Sequence, residues 1–250
     1  MGYTRLRYTR SSYFGYLTPG VKWLLISNTA MFLLDWVNER SGGALFGNAL
    51  LLLSLAPRAV VYHLAIWQLV TYMFLHGGIG HILFNMLALW MFGSPLEQDW
   101  GTRRFLKYYF LCGVGAGLCD VAVNAAIGQW GTRTIGASGA IYGLLLAFGV
   151  LYPNQTILMN FLFPIKAKYL VMIYAAIALL GAFGTNSGVS NVAHLGGMLF
   201  GYAYLKTRWR PSLGLAEARS AYQQWKLQRA KRKFQVYMRK HGKDRGPRVN

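Results

Sequence analysis

The sequence predicts an all-α polytopic membrane protein, built as a six-transmembrane-helix bundle. Three observations carry that expectation. Of 250 residues, 54% are hydrophobic and 13% charged; the apolar residues gather into runs long enough to cross a bilayer; and the basic residues cluster on one side of those runs. The composition excludes a disordered chain. With 26 Lys and Arg against 7 Asp and Glu, the formal charge is +19. On so apolar a chain that surplus points to a membrane before it points to nucleic acid.

Residues 1–20 read as a basic cytoplasmic N-terminus carrying Arg5, Arg7 and Arg10. They hold no apolar core or small-residue cleavage site, so no cleavable signal is expected. Leu6 stands where myristoylation wants Ser or Thr. Residues 21–205 form the membrane domain. A spanning helix takes about 17 to 25 mostly apolar residues, fewer where it starts inside the protein. The runs that qualify are Val21 to Val37, Ile79 to Leu96, Phe105 to Ile127, Ser138 to Tyr152, Tyr169 to Phe183 and Ser190 to Leu205. Between the first two, Asn38 to Gly78 is broken by Gly42-Gly43, Pro57-Arg58, His63 and Gln68. It reads as interfacial or re-entrant, with a seventh span as the competing count.

Twenty-three of the 26 basic residues fall on one side of these spans, against Arg40, Arg58 and Arg133 on the other. The positive-inside rule then puts both termini in the cytoplasm. Residues 206–250 form a basic tail with fourteen Lys or Arg, two acids (Glu217 and Asp244), and Leu227, Ala230, Phe234 and Tyr237 at helical spacing. An amphipathic helix on anionic lipid and a solvated tail that enforces topology are both compatible with it. No nucleic-acid partner is expected. Cys112 and Cys119, seven apart in one helical run, would lie about 10 Å apart, too far for a disulfide.

Ionisable groups in hydrocarbon cost several kcal/mol unless paired or hydrated, so those that remain there are the place to look for chemistry. The candidates are Asp35, His81, Asp120 and His194, with the polar Asn85, Asn124 and Ser138. Six spans and a cytoplasmic start make spans two, four and six run inward from the outer side. His81 with Asn85, Ser138 and His194 then share one depth near the outer ends. A hydroxyl, two imidazoles and an amide at one level form a candidate acyl-transfer site.

Ser138 follows Gly136-Ala137 at the start of a span, where a helix N-terminus offers free backbone N–H groups to a developing oxyanion. Gly139 and Gly143 on one span, and Gly197 and Gly201 on another, permit the close approach a short serine side chain needs. His81 and Asn85, four apart, share a helical face as donors. Tyr142, one turn beyond Ser138, is placed to pack against the His194 ring. No spacing ties Asp35 or Asp120 to His194, so the expected pair is Ser-His without an acid. Cys112, Cys119, Asp120 and Asn124 read as packing and polar contacts within span three. No metal motif is present, because His76 and His81 are five apart and there is no His-Glu-x-x-His.

Taken as an ordered set, these residues resemble the rhomboid family of intramembrane serine proteases. The matching elements are FLHGGIGHILFN with His76, His81 and Asn85; Glu97 and Gly101; Gly136-Ala137-Ser138-Gly139 with Tyr142; and Ala193-His194 with Gly197 and Gly201. They cover roughly Trp67 to Leu205. The resemblance implies a six-helix fold with a water-filled cavity open to the outer side, Ser138 as nucleophile and His194 as general base. It also implies that His81, Asn85 and the Ser138 N–H stabilise the oxyanion, with Gly136 beside them and His76 near the cavity. Substrates would be membrane-anchored proteins, often single-pass, cut near the outer surface. No cofactor is expected. Many relatives have Trp-Arg where this chain has Trp67-Gln68, and an amide cannot reproduce a guanidinium's bidentate contacts. The resemblance therefore does not say how the Asn38 to Gly78 loop is tied down.

Two rival readings belong to other classes. A rhomboid-like protein that binds membrane clients without cutting them is opposed by the intact Ser138 and His194. A transporter would use Asp35, Asp120 and His194 as a proton path. An aspartyl intramembrane protease is set aside, because Leu34-Asp35 and Cys119-Asp120 lack that family's sequence contexts. A compact six-span chain without a presequence fits a bacterial plasma membrane, with a mitochondrial membrane as the second possibility.

Overall fold

A computed structural model of the chain describes residues 17–43, 49–159, 163–182, 191–207 and 229. The N-terminal Arg5, Arg7 and Arg10, and the amphipathic pattern of the tail beyond 207 apart from Arg229, lie outside the described residues. The chain divides into two compact units, Met1–Tyr204 and Leu205–Asn250, and the site lies within the first.

Six long helices overlap the six predicted runs. They are α1 (Pro19–Arg40), α4 (Ile79–Trp100), α5 (Thr102–Ala126), α6 (Ser138–Leu151), α7 (Ala167–Ala182) and α8 (191–207). Helices α4 and α5 are long and apolar enough to cross a membrane; α6 and α7 are apolar but shorter. The segment after α1 contains no seventh long helix among the described residues. Instead it folds into a 3-10 turn (Ala49–Leu53), α2 (Pro57–His63), α3 (Gln68–Thr71) and a second 3-10 turn (Tyr72–Phe74). A short antiparallel hairpin, β1 (Thr156–Met159) with β2 (Phe163–Lys166), precedes α7 and pairs Thr156 with Lys166. In the sequence this stretch is the gap between two apolar runs, marked by Lys166 and Lys168; four-residue strands carry too little period to announce themselves.

Helix α1 begins with Pro19 and has no hydrogen bond from its N-cap side chain to its own first turn. Its first-turn amides are satisfied from afar: Glu97 accepts from the Gly20 N–H at 2.7 Å and the Val21 N–H at 2.8 Å. The Thr18 hydroxyl (2.5 Å) and the Thr102 hydroxyl (2.6 Å) also donate to it. This buried carboxylate ties together the starts of α1 and α5 and supplies the anion a helix N-terminus favours. Between α4 and α5, Gly101 takes φ +76° with ψ 154°, a positive-φ conformation that favours glycine and lets one long helix follow another directly.

Helix α5 is the core of the bundle. Phe105, Tyr108, Tyr109, Cys112 and Ala116 are fully buried, and its glycines receive the neighbouring elements. A Cβ at Gly113 would meet Met73, one at Gly115 Phe200 of α8, and one at Gly117 Tyr72. The closest approach is between α6 and α8, where a Cβ on Gly197 would lie 1.9 Å from the Gly139 carbonyl oxygen. Only glycine permits that spacing, and it sets α8 against the first turn of α6. Cys112 and Cys119 are both free.

The loop after α1 is held by contacts that the Trp67-Gln68 comparison does not supply. Gln68 is buried, accepts from the Ala56 N–H at 3.0 Å and donates to the Leu52 carbonyl at 3.0 Å. Trp67 Nε1 donates to the same carbonyl at 3.1 Å, and the Thr71 hydroxyl to the Leu53 carbonyl at 2.7 Å. Arg133 approaches from the other side, donating to the Leu51 carbonyl and to Ser54 Oγ, both at 2.7 Å. Leu55 and Thr134 then exchange backbone hydrogen bonds of 3.0 and 2.8 Å. An amide and a distant guanidinium share the anchoring.

Candidate active site

Ser138 is the first residue of α6, and His194 lies in the described part of α8. The Gly139–Gly197 contact brings the first turn of α6 against this part of α8. His194 Nε2 lies 2.8 Å from Ser138 Oγ, a hydrogen bond of the length that proton transfer requires. The Tyr142 ring stacks on the imidazole at 4.1 Å between centroids and 5° between planes. Tyr142 is itself held edge-on by Tyr174 of α7 at 5.9 Å. His194 Nδ1 is buried with no hydrogen-bond partner. The ring is thus fixed by packing, and among the described residues no carboxylate orients it.

His81 and Asn85 sit in the first two turns of α4. The Gly77 N–H donates to His81 Nδ1 at 3.3 Å, which leaves Nε2 as the protonated nitrogen of a neutral ring. That nitrogen faces Gly136, where a Cβ would lie 2.7 Å from it and 3.8 Å from Ser138 Oγ. Gly136 adopts φ +120°, a conformation open to glycine, and its N–H donates to the Tyr72 carbonyl at 2.9 Å. Asn85 is buried with Nδ2 unpartnered. The Ser138 N–H, at the first position of a helix, has no partner within α6. Three donors are thus gathered near the hydroxyl: the Ser138 amide itself, His81 Nε2 across Gly136, and Asn85 Nδ2 on the cavity that Ser138 also lines.

Ser138 and Asn85 also line a cavity of about 610 Å³ walled by α4, α6, β1 and α7, whose other lining residues include Met91, Phe92, Leu145, Ile157 and Tyr174. Apart from a few polar groups at Ser138 its walls are apolar, suited to a side chain or an unwound segment of a hydrophobic helix. A π-helical turn over Leu89–Gly93 of α4 shapes one wall.

His76 stands outside this group of donors, packing edge-on to His81 at 5.0 Å, 2% exposed. Its burial, and the neighbouring His81, push it down to about 4. Asp120 reaches out of its own helix: Oδ2 accepts from the Thr134 hydroxyl at 2.9 Å, while the Asn124 amide binds the Asp120 backbone carbonyl. The expected polar contact between Asp120 and Asn124 within span three is present, and the Asp120 carboxylate adds a second one outside the helix. It steadies the turn that leads from Thr134 to Gly136. Thr134 and Arg133 are supporting residues that sequence reasoning gives no role, because their partners, Leu55, Asp120, Leu51 and Ser54, are distant in the chain; Gln68 stands out there only as a departure from the family pair. For Arg133 the one signal is an isolated charge on the sparsely basic side.

The Rhomboid domain family matches residues 63–211. RHOMBOID-like protein 1 of Arabidopsis thaliana is 35% identical over 183 residues, 71% of this chain and 44% of that protein. Rhomboid protease GluP of Bacillus subtilis (strain 168) is 30% identical over 196 residues, 78% of this chain and 36% of its own length. Putative rhomboid protease YdcA of the same organism is 34% identical over 144 residues, 54% of this chain and 64% of that protein. The chain spans about half or less of the length of the first two.

Proposed function

The chain belongs to the rhomboid family, and from that membership we propose that it is an intramembrane serine endopeptidase that cuts membrane-anchored proteins near the outer membrane surface. The observation that carries the reading is the 2.8 Å contact between Ser138 Oγ and His194 Nε2. Membership and the apolar helices α4 and α5 make it an integral membrane protein. Six crossings, cytoplasmic termini and a bacterial plasma membrane complete the proposal, supported by the six long helices and the one-sided basic residues.

In the proposed reaction, a substrate helix frays beside the 610 Å³ cavity and presents a carbonyl to Ser138. His194 Nε2 takes the hydroxyl proton as Oγ bonds to the carbonyl carbon. The oxygen gains its charge among the Ser138 N–H, His81 Nε2–H and Asn85 Nδ2–H. His194 then gives its proton to the leaving amine as the C–N bond breaks. Water, deprotonated by His194, hydrolyses the acyl-enzyme and restores Ser138. The Tyr142 face lies against the ring that becomes imidazolium, where its quadrupole favours the positive charge. A purely client-binding protein has no use for this contact.

The test is cleavage of a transmembrane reporter by purified wild type beside Ser138→Ala and His194→Ala, with a fluorophosphonate probe in parallel. Cleavage and labelling in wild type, both lost in Ser138→Ala, are expected. Folded wild-type protein that neither cleaves nor labels would move the reading to client binding.

A further inference from the structure

A second, smaller cavity adjoins the site. It has a volume of about 280 Å³, and its walls include Asp35 and Glu39 of α1, Ser54, His76, Gly78 and Ile135. We propose that this cavity is a subsite for a basic side chain, Lys or Arg, of the substrate; the inference rests on the protease reading above.

Position is the first argument. Of its lining residues, His76 to Ile79 lead into His81, and Ile135 immediately precedes Gly136 and lies three residues before Ser138. A chain whose carbonyl meets Ser138 carries the side chains of neighbouring residues past this opening. The cavity is too small for a helix and roomy enough for one long side chain.

Chemistry is the second. The whole chain has seven acidic residues against 26 basic ones, yet two of the seven, one helical turn apart on α1, face this one space. Among the described residues neither forms an ion pair. His76 provides the independent observation: it is 2% exposed, lines the cavity, and, apart from an interaction of the ring with the Phe74 backbone, makes no hydrogen bond, which leaves a ring nitrogen without a partner among the described residues. A buried polar atom left unpaired is unfavourable, so the ring's unpartnered nitrogen is set to accept from a ligand that donates. An ammonium or guanidinium group offers only donors, which suits two carboxylates and an imidazole lone pair together, the Ser54 hydroxyl being already engaged by Arg133 and the Leu51 carbonyl. A metal ion is a poorer fit, because among the described residues no three His, Cys, Asp or Glu side chains come close enough to hold one.

The experiment uses the full chain in liposomes and transmembrane reporters that differ at one position, scanned within four residues of the cut, as Lys, Arg, Gln or Leu. At one position Lys and Arg should raise kcat/KM about 5- to 10-fold over Gln, mainly through KM, as a partly solvated charge pair would. That ratio should fall towards one in Asp35→Asn/Glu39→Gln, in Glu39→Gln alone to a lesser degree, and in 1 M salt. Absence of such a position, or a ratio unmoved by the double variant, would overturn the subsite and mean that the cavity holds only water. Should wild type cleave no reporter, the protease reading fails separately. Binding of the same reporters to Ser138→Ala protein still reads the subsite then: tighter binding of Lys than Gln supports it, and equal affinity overturns it.

Discussion

At the scale of single residues, orientation at the site comes from neutral rings held by packing and backbone donors. The Gly77 N–H fixes the His81 tautomer, and a methyl group at position 136 would collide with the nitrogen thereby freed. Gly136→Ala adds a strained φ to that collision. Its kcat/KM is expected to fall about 100-fold or more, the scale of losing one oxyanion donor, with fluorophosphonate labelling slowed in parallel; a variant retaining more than a third of wild-type kcat/KM would show that His81 is not a donor to the oxyanion. His76, in the turn before α4, permits a pH prediction. Its folded value of about 4 lies below the ordinary 6.5, so between these values the unfolded chain binds more protons. Its contribution to stability is whole above about pH 6.5 and is lost as pH falls towards 4. His76→Gln should therefore flatten the dependence of Tm on pH across that window; equal slopes in variant and wild type would rule out His76 as the group responsible.

At the scale of elements, the loop Leu51–Ala56 is held from two sides, by Gln68 within the bundle and by Arg133 from the turn that leads to Gly136. Removing the Gln68 amide leaves a buried N–H and a carbonyl without partners, so Gln68→Ala should lower stability by about 1–3 kcal/mol. Arg133→Ala should cost less, since the side chain is exposed. The two losses should fall short of additive when measured by chemical or thermal unfolding, because both release one stretch of chain; strict additivity would mean that the two anchors act independently. The same region shows what the sequence does and does not make legible. Long apolar runs locate α1 and α4 to α8, since a helix in or near lipid must be continuous to satisfy its own backbone. Alternating helix directions place Ser138, His81 and His194 at one end of the bundle. By contrast, the Gln68 and Arg133 contacts join side chains to carbonyls 16 and 82 residues away. The hairpin is equally silent, and the Asp120–Thr134 bond crosses from a helix into a loop. None of these leaves a periodic trace.

At the scale of the whole molecule, α4 carries two separate duties at its two ends. His81 and Asn85 lie near its start, and Glu97 lies sixteen residues beyond His81, a rise of about 24 Å along a helix and most of a bilayer's hydrocarbon thickness. The far end is architectural. Four donors face the Glu97 carboxyl and they come from three places in the chain: the approach to α1, its first turn, and the first residue of α5. That is the complement of an ionised carboxylate, which accepts at both oxygens and donates nothing. Glu97→Gln replaces one acceptor oxygen by an NH2 group, which must then face the amide or hydroxyl donors that the oxygen served. Gly20 leaves no slack to absorb the change, since even a Cβ there would sit 2.9 Å from Oε1. The expected loss is about 3–5 kcal/mol, the cost of breaking a buried charged network, read as a large fall in Tm. Because the damage is confined to the end remote from Ser138, protein kept well below its lowered Tm should still label with fluorophosphonate at a rate within about threefold of wild type. Loss of labelling in such folded protein would mean that α4 transmits the state of its Glu97 end to the donors at His81 and Asn85, and that the two ends are one cooperative unit.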